Sequence, residues 1–276
     1  MMQIPRSGIA AASRDLSVVS NNLANAMTTG FKKSQSLFVD VVSEGTGTGP
    51  GVGTQNGTMT SEVKKSLSQG SLMNTNSSLD LALTGEGFFV FGDPKAVPGE
   101  DPLYTYSRSG KLSMDATGNV VDTSGSPLMG LPVSSNGVIG TAPQPINLTA
   151  AAKGNLGNIQ SIVVDANGVI NLQLNDGTFT RAAAVALATF PNSQGLTAAS
   201  GSKWKDSDLS GAPEFSAANR NGLAKVNQGS LEDSNVDLTG EMLHMISAQQ
   251  AYNGNARALQ TSSEMLRSAI ETLAHG

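Results

Sequence analysis

The sequence of 276 residues contains no cysteine and has no excess of basic residues. Without cysteine, disulfide bonds, thiolate metal sites and cysteine nucleophiles are excluded. The formal net charge of −5 argues against general binding to nucleic acid or to an anionic membrane, because both need a basic excess. No apolar run approaches the roughly 20 residues of a membrane span. The N-terminus also lacks the apolar core of a secretory signal peptide.

Large apolar side chains are scarce as well. Hydrophobic residues make up 38% of the chain and aromatic residues 4%, whereas there are 31 glycines. A chain of this length can hold one large core or two to three small domains. The glycine content favours several small β units joined by turn-rich loops in the middle of the chain.

The N-terminal segment carries a narrow apolar seam with a period of about 3.5 residues. The seam consists of Ile9, Ala12, Leu16, Val19, Leu23 and Ala26. It predicts a helix from about Ser7 to Met27, with Gly30 in a left-handed C-terminal cap and Phe31 as the apolar contact that often follows such a cap. The helix end carries three amides, Asn21, Asn22 and Asn25. Because amides are poor helix formers, these three either fray in solvent or have a specific packing role.

The C-terminal segment carries a similar seam. It consists of Met242, Met245, Tyr252, Ala256, Leu259, Leu266, Ile270 and Leu273, and only Gln249 and Ser263 interrupt it. The helix is expected to begin after Asp237, where Asn235 or Asp237 can cap the exposed N–H groups. Helices with so few large side chains are marginal in water when isolated. We therefore expect the two terminal helices to pair as a coiled coil, with each other or with copies of each other.

Between the helices the sequence predicts strands and turns. The apolar run 88–91 is typical of a buried strand. Two segments that begin at Asp115 and Asp165 each place a glycine-containing turn before β-branched residues, which is typical of hairpins, and Asn175-Asp-Gly177 gives a third hairpin signal. The predicted fold class is therefore α+β, with paired terminal helices and a central, mainly-β region of hairpins.

These patterns divide the chain into four regions. Residues 1–44 are predicted to form an N-terminal helical assembly segment, with a second short amphipathic piece at 36–42. Residues 45–69 form a Gly-rich connector, and 70–228 a β-rich domain that is either single or split into two subdomains near 130–160. Residues 229–276 form a C-terminal helical assembly segment.

We expect no catalytic, metal or cofactor site. The Gly-rich run 45–53 lacks the Gly-Lys-Ser/Thr ending of a phosphate loop. His244 and His275 have neither cysteine nor a second histidine at metal-ligand spacing. The aspartates at turns support those turns locally, and no Gly-x-Ser-x-Gly elbow precedes a helix. No small-molecule substrate is expected either.

Three motifs resemble the bacterial flagellar axial family, the rod and hook proteins. The first is Asn21-Asn-Leu-Ala-Asn25 followed by Gly30-Phe-Lys. The second is Gly70-Ser-Leu with Asn76-Ser-Ser-Leu-Asp-Leu-Ala-Leu and Gly85-Glu-Gly-Phe-Phe, and the third is the segment 229–237 with Gln249-Gln-Ala-Tyr252. Each motif is short, but their fixed order at both ends and in the middle makes the resemblance specific.

The resemblance implies a structural subunit whose terminal helices line a tube, with the β region facing outward. Its partners would be copies of itself, neighbouring axial proteins and the flagellar export apparatus, and it would reach the hook or the periplasmic basal body without a cleaved signal peptide. The run Gly30-Phe-Lys-Lys-Ser with Phe38-Val-Asp favours a short hook-type subunit, with a distal or proximal rod protein as the alternative.

An alternative of another class is a secreted β-rich enzyme or carbohydrate-binding module that uses its terminal helices only to dimerise. Such a protein would form a closed oligomer with one deep pocket. An axial subunit would instead grow without closing, through heterologous contacts.

Overall fold

The computed structural model describes residues 3–44, 53–93, 103–133, 140, 142–152, 154–220 and 222–274. The chain divides into two compact units. The terminal unit comprises residues 1–26, 32–67 and 236–276, and the β unit comprises 27–31 and 68–235. The α+β class is confirmed, because a mainly-β central region lies between an N-terminal and a C-terminal helix.

The described residues form three α-helices. They are α1 (Gln3–Ala24) and α3 (Leu238–Ala274) of the terminal unit and the single turn α2 (Leu148–Ala151) of the β unit. The start of α3 agrees with the sequence, since Oδ1 of Asp237 accepts a hydrogen bond from the backbone N–H of Thr239 at 3.1 Å. This contact satisfies one of the N–H groups that a helix leaves without a partner in its first turn.

A long antiparallel hairpin follows α1 in the terminal unit. It consists of β1 (Ser34–Glu44) and β2 (Gly53–Lys65), paired from Ser34 opposite Lys65 to Glu44 opposite Gly53. The predictions of a helical segment through residue 44 and of a connector over 45–69 are therefore wrong for these strands. A short apolar run fits a helix and a strand equally well by period, and here Phe38 and the following β-branched residues favour the strand. Residues 45–52, the richest part of the predicted connector, lie outside the described residues.

The β unit is built from short strands. Its strands are β3 (Leu72–Asn74), β4 (Leu81–Thr84), β5 (Phe88–Gly92), β6 (Tyr104–Ser107), β7 (Leu112–Met114), β8 (Val120–Asp122), β9 (Met129–Leu131), β10 (Gln144–Pro145), β11 (Ile159–Val164), β12 (Val169–Leu174), β13 (Phe179–Thr189), β14 (Thr197–Ala199), β15 (Lys203–Lys205), β16 (Glu214–Ala217), β17 (Lys225–Gln228) and β18 (Ser230–Glu232). The largest sheet runs in the order β10, β9, β13, β5, β6, β15, β14, and β12 and β16 also pair with β13. Three further two-stranded sheets join β4 to β17, β3 to β18 and β7 to β8.

The predicted hairpins are confirmed. The Asp115 turn connects β7 to β8, the Asp165 turn connects β11 to β12, and the Asn-Asp-Gly turn at 175–177 connects β12 to β13. In the first turn, Oδ1 of Asp115 accepts hydrogen bonds from the backbone N–H groups of Thr117 and Asn119 at 2.9 and 2.8 Å. Asp165 does the same for Asn167 and Val169, at 2.9 Å each. These aspartates support their turns locally, as the sequence predicts.

The core of the β unit lies between the large sheet and the shorter strands. Phe89, Phe91, Leu128, Leu172 and Val185 are completely buried. The run 88–91 is therefore the buried strand that its apolar composition predicts.

Residues 27–31, which follow α1, belong to the β unit. Gly30 has a φ of +69°, as expected, but its N–H donates to the backbone oxygen of Glu232 at 2.8 Å and α1 has already ended at Ala24. The prediction of a C-terminal helix cap is therefore wrong. A Cβ at this position would lie 2.4 Å from the backbone nitrogen of Ser109, so both the backbone angle and the close approach require glycine.

Candidate assembly interface

The helices α1 and α3 pack against each other in antiparallel directions. At one end of the contact, a Cβ at Gly8 would lie 2.7 Å from the side chain of Asn255. At the other end, the side chain of Asn22 reaches Glu241. The two terminal helices therefore contact each other within one chain, as the sequence predicts.

Asn22 connects three elements of the terminal unit. Its Nδ2 donates to the backbone oxygen of Ser34 in β1 at 2.8 Å, and its Oδ1 accepts from the N–H of Ser34 at 2.9 Å. The same Nδ2 donates to Oε2 of Glu241 in α3 at 3.1 Å. Asn22 and Glu241 are each 1% exposed, so water does not compete for these bonds. The packing role that the sequence left open for the amide cluster falls on Asn22.

Glu241 is the buried charge of this cluster. Its Oε1 lies 2.5 Å from Nζ of Lys33, which keeps partial access to solvent. A buried carboxylate is costly unless it is paired and hydrogen-bonded, and here both conditions hold. The charge therefore requires α1, β1 and α3 to keep this arrangement.

The predicted seam of α1 lies toward the interior of the terminal unit. Ala12 and Val19 are buried, whereas Ile9, Leu16 and Leu23 are partly buried. Asn21 is exposed, and Asn25 donates from Nδ2 to the backbone oxygen of Asn21 at 2.9 Å. Two residues predicted for the same interface, Gly30 and Phe31, lie instead in the β unit.

The predicted seam of α3 divides into two parts. In the part of the helix up to Leu259, Met245 and Leu259 are partly buried, whereas Met242 is 48% and Tyr252 39% exposed. In the second half, Leu266, Ile270 and Leu273 are 48%, 65% and 84% exposed. The exposure of the seam therefore increases toward the C-terminal end of α3, past the contact of Asn255 with Gly8.

Several interface residues escaped the sequence analysis. Asp15, Lys33, Glu241 and Ala248 were not assigned to the seam, yet Asp15, Glu241 and Ala248 are buried. A pattern of apolar residues does not include charged residues such as Asp15 and Glu241. The signal for Asp15 is the series Gly8, Asp15 and Asn22, whose members lie one heptad apart on α1.

The described residues hold no cluster of three or more His, Asp or Glu side chains that could bind a metal ion. A polar concavity of about 400 Å³ lies in the β unit. Its lining residues are Val133, Asp165, Asn167, Val169, Asn171, Arg181, Asn219 and Arg220. Within the same described ranges, no helix is long and apolar enough to cross a membrane.

Three family models match the chain. They are "Flagella basal body rod protein" over residues 2–32, "Flagellar hook protein FlgE/F/G D1 domain" over 82–172 and "Flagellar basal body rod FlgEFG protein C-terminal" over 227–272. The flagellar basal-body rod protein FlgG of Bacillus subtilis is 32% identical, covering 96% of this chain and 95% of that protein. The rod protein FlgG of Buchnera aphidicola subsp. Schizaphis graminum is 31% identical, covering 96% of both.

The chain belongs to the flagellar axial family of rod and hook proteins. As a member of this family it is a structural subunit of the flagellum. The rod alternative is better supported than the hook-type subunit that the sequence favoured. The flagellar hook protein FlgE of Helicobacter mustelae matches at 38% identity, but over only 43% of this chain and 28% of that protein.

Among solved structures, the flagellar hook protein FlgE2 of Helicobacter pylori aligns over 66% of this chain and 48% of that chain. The TM-score is 0.24 and the sequence identity 14%. This likeness is too weak to bear on the fold of the axial subunit.

Proposed function

We propose that this axial subunit belongs to the basal-body rod and assembles with copies of itself into a helical tube that transmits motor torque. The full-length similarity to two rod proteins supports the rod assignment. Its place would be the basal body in the periplasm, reached through the flagellar export apparatus without a cleaved signal peptide. Its further partners would be the neighbouring axial proteins, and α1 and α3 would pair as a coiled coil.

The exposed half of α3 is the observation that carries the self-assembly proposal. A helix of 22 residues such as α1 is about 33 Å long, and one of 37 residues such as α3 is about 55 Å long. Leu266 and Ile270 lie at seam spacing from Leu259, so they continue the covered face of α3 beyond the end of α1. An apolar stripe of this kind is favourably covered by another helix.

A second copy of the chain is the occupant that fits this stripe. The stripe continues an interface that α1 already makes with α3, so a helix with the apolar pattern of α1 is complementary to it. A contact between the end of one α3 and another subunit joins two different surfaces. Contacts of this heterologous kind generate open helical assemblies, as a tube requires.

The test is the double substitution Leu266→Asp/Ile270→Asp in the full chain. Two charges in the stripe should prevent helix association, because each would be buried without a partner. Assembly is measured by sedimentation and electron microscopy of the purified protein at high concentration. The control is Ser268→Asp, which adds one such charge on the opposite, exposed face of the helix.

The expected result is tube formation by the parent and by Ser268→Asp, and none by the double variant. Folding of the β unit is followed by the fluorescence of Trp204, the one tryptophan in the sequence, which is 6% exposed. Tubes of normal length from the double variant would rule out the stripe as the assembly surface. A closed dimer of the parent would favour the alternative of a dimeric binding module.

A further inference from the structure

The contact between α1 and α3 is made along a polar stripe on α1. Gly8, Asp15 and Asn22 follow one another at heptad spacing, so they lie on one face of the helix. Gly8 faces Asn255, Oδ2 of Asp15 lies 3.2 Å from Nε2 of His244, and Asn22 donates to Glu241. The residue numbers of the partners on α3 fall as those on α1 rise, as an antiparallel pair requires.

Each member of the stripe restricts what can pack against it. A side chain at position 8 would collide with Asn255 at 2.7 Å, so glycine allows a close helix approach there. Asp15 is 8% exposed and Asn22 1% exposed, and buried polar groups need partners in the right place. In the observed alignment, His244 is the partner of Asp15, and Glu241 on α3 is a partner of Asn22.

The apolar residues of the same helix are less selective. Alanines such as Ala11, Ala12 and Ala248 are buried, but a methyl group packs almost equally well against many neighbours. Single buried polar residues are known to set register and partner in coiled coils, at some cost in stability. An antiparallel pair of two α1 helices that aligned this stripe with itself would place Asp15 against Asp15, and like charges in contact are unfavourable.

We propose that Gly8, Asp15 and Asn22 form a recognition stripe that makes α1 accept α3 as its partner, and in one register. This inference does not depend on the proposed place of the subunit in the rod. Where copies of the chain are crowded together, each α1 has many apolar helix faces within reach. The recognition stripe selects the partner helix and its register, which the small apolar side chains do not select.

The test uses engineered cysteine pairs, because the chain has none of its own. In Gly8→Cys/Asn255→Cys, the observed register brings the two side chains within reach of a disulfide. In Gly8→Cys/Ser262→Cys, the second cysteine lies one heptad away, about 10 Å along α3, which is out of reach. The rate of intramolecular crosslinking in dilute full-length protein, followed by non-reducing gel and mass spectrometry, therefore reports the register.

Two substitutions then exchange the polar groups across the interface. Asn22→Asp places a second carboxylate beside Glu241 and should slow the 8/255 crosslink at least tenfold. Adding Glu241→Gln removes the like-charge contact, so the rate should rise severalfold but not to the parental value, because Asp at position 22 cannot donate to the backbone oxygen of Ser34. The control is Asn21→Asp, which makes the same change at the neighbouring, exposed position and should have no effect.

Three outcomes would overturn the proposal. Asn22→Asp could crosslink at the parental rate, which would show that the pair does not select the partner. The added Glu241→Gln could leave the rate as slow as in Asn22→Asp alone, which would assign the loss to general damage. The parent could crosslink the 8/262 pair as fast as the 8/255 pair, which would show that no single register is selected.

Discussion

The ammonium group of Lys203 lies 2.7 Å from Oδ2 of Asp122 inside the β unit, and both side chains are largely buried. Nζ of Lys203 also donates to Oγ of Ser124 at 2.6 Å and to Oγ of Ser126 at 2.8 Å. The three protons of the ammonium group therefore have three acceptors. This cluster ties β15 to the turn that follows β8.

Replacing Lys203 should destabilise the β unit. In Lys203→Met the carboxylate of Asp122 keeps its burial but loses its charged partner, and the expected loss is about 2 kcal/mol of the free energy of unfolding. Urea denaturation followed by Trp204 fluorescence measures it. Lys205→Met is the matched control, because Lys205 is exposed on the same strand, and it should change stability by less than about 0.5 kcal/mol.

The same cluster predicts a dependence on acid. Burial raises the pKa of Asp122, but the hydrogen bonds from Lys203, Ser124 and Ser126 and the charge of Lys203 outweigh burial and hold that pKa below its ordinary value of 3.8. A lowered folded-state pKa contributes stability above the unfolded pKa and loses it as pH falls through the folded pKa. The unfolding free energy of the parent should therefore fall more steeply below about pH 4 than that of Lys203→Met. Parallel curves in acid would contradict the assignment.

Gly30→Ala tests the conformation of the segment that follows α1. The positive φ costs about 1 to 2 kcal/mol for alanine, and the approach of 2.4 Å to the backbone of Ser109 forces a further shift. The amide of residue 30, which bonds to Glu232, should exchange with solvent much faster. Gly177→Ala separates the two costs, because Gly177 has a similar φ of +77° and a Cβ added there would meet no atom within 4 Å. Equal effects at both positions would show that the contact with Ser109 is unimportant.

Leu16→Asp should abolish assembly and motility while the β unit stays folded. Leu16 is partly buried in the terminal unit, and a charge there would lie in a helix interface without a partner. Leu259→Asp on α3 should act in the same way. Ser17→Asp is the control for the first variant, since Ser17 is exposed. Swimming in soft agar, beside Trp204 fluorescence of the purified protein, provides the comparison, and motile cells carrying Leu16→Asp would refute the interface.

Local signals in the sequence were sufficient for the hairpins. The turns at Asp115 and Asp165 are held by hydrogen bonds over two and four residues, so their chemistry is visible within a short window. The apolar seams also found the two terminal helices, because a long periodic pattern is the strongest such signal. The strand β1 was missed, since a run of this length does not show its period clearly and its partner lies across the Gly-rich stretch.

The interface itself depends on distant pairings. Asn22 and Glu241, which meet in the interface, are separated by 219 residues, and the pairing of Lys203 with Ser126 inside the β unit likewise spans 77. Nothing in one sequence marks which of several asparagines will meet which glutamate, because the pairing follows from how the elements pack. The exposed end of α3 was predicted as part of a continuous seam, and only the shorter length of α1 shows where that seam loses its cover.

The hydrogen bond from Gly30 to Glu232 has a mechanical consequence. It joins the places where the chain enters the β unit and where it is about to leave, and a second bond from Asn235 to Phe31 lies beside it. The two ends of the β unit are therefore hydrogen-bonded to each other, and the residues between them form a closed loop. Tension applied through the terminal segments would load these two hydrogen bonds before it reached the hydrophobic core.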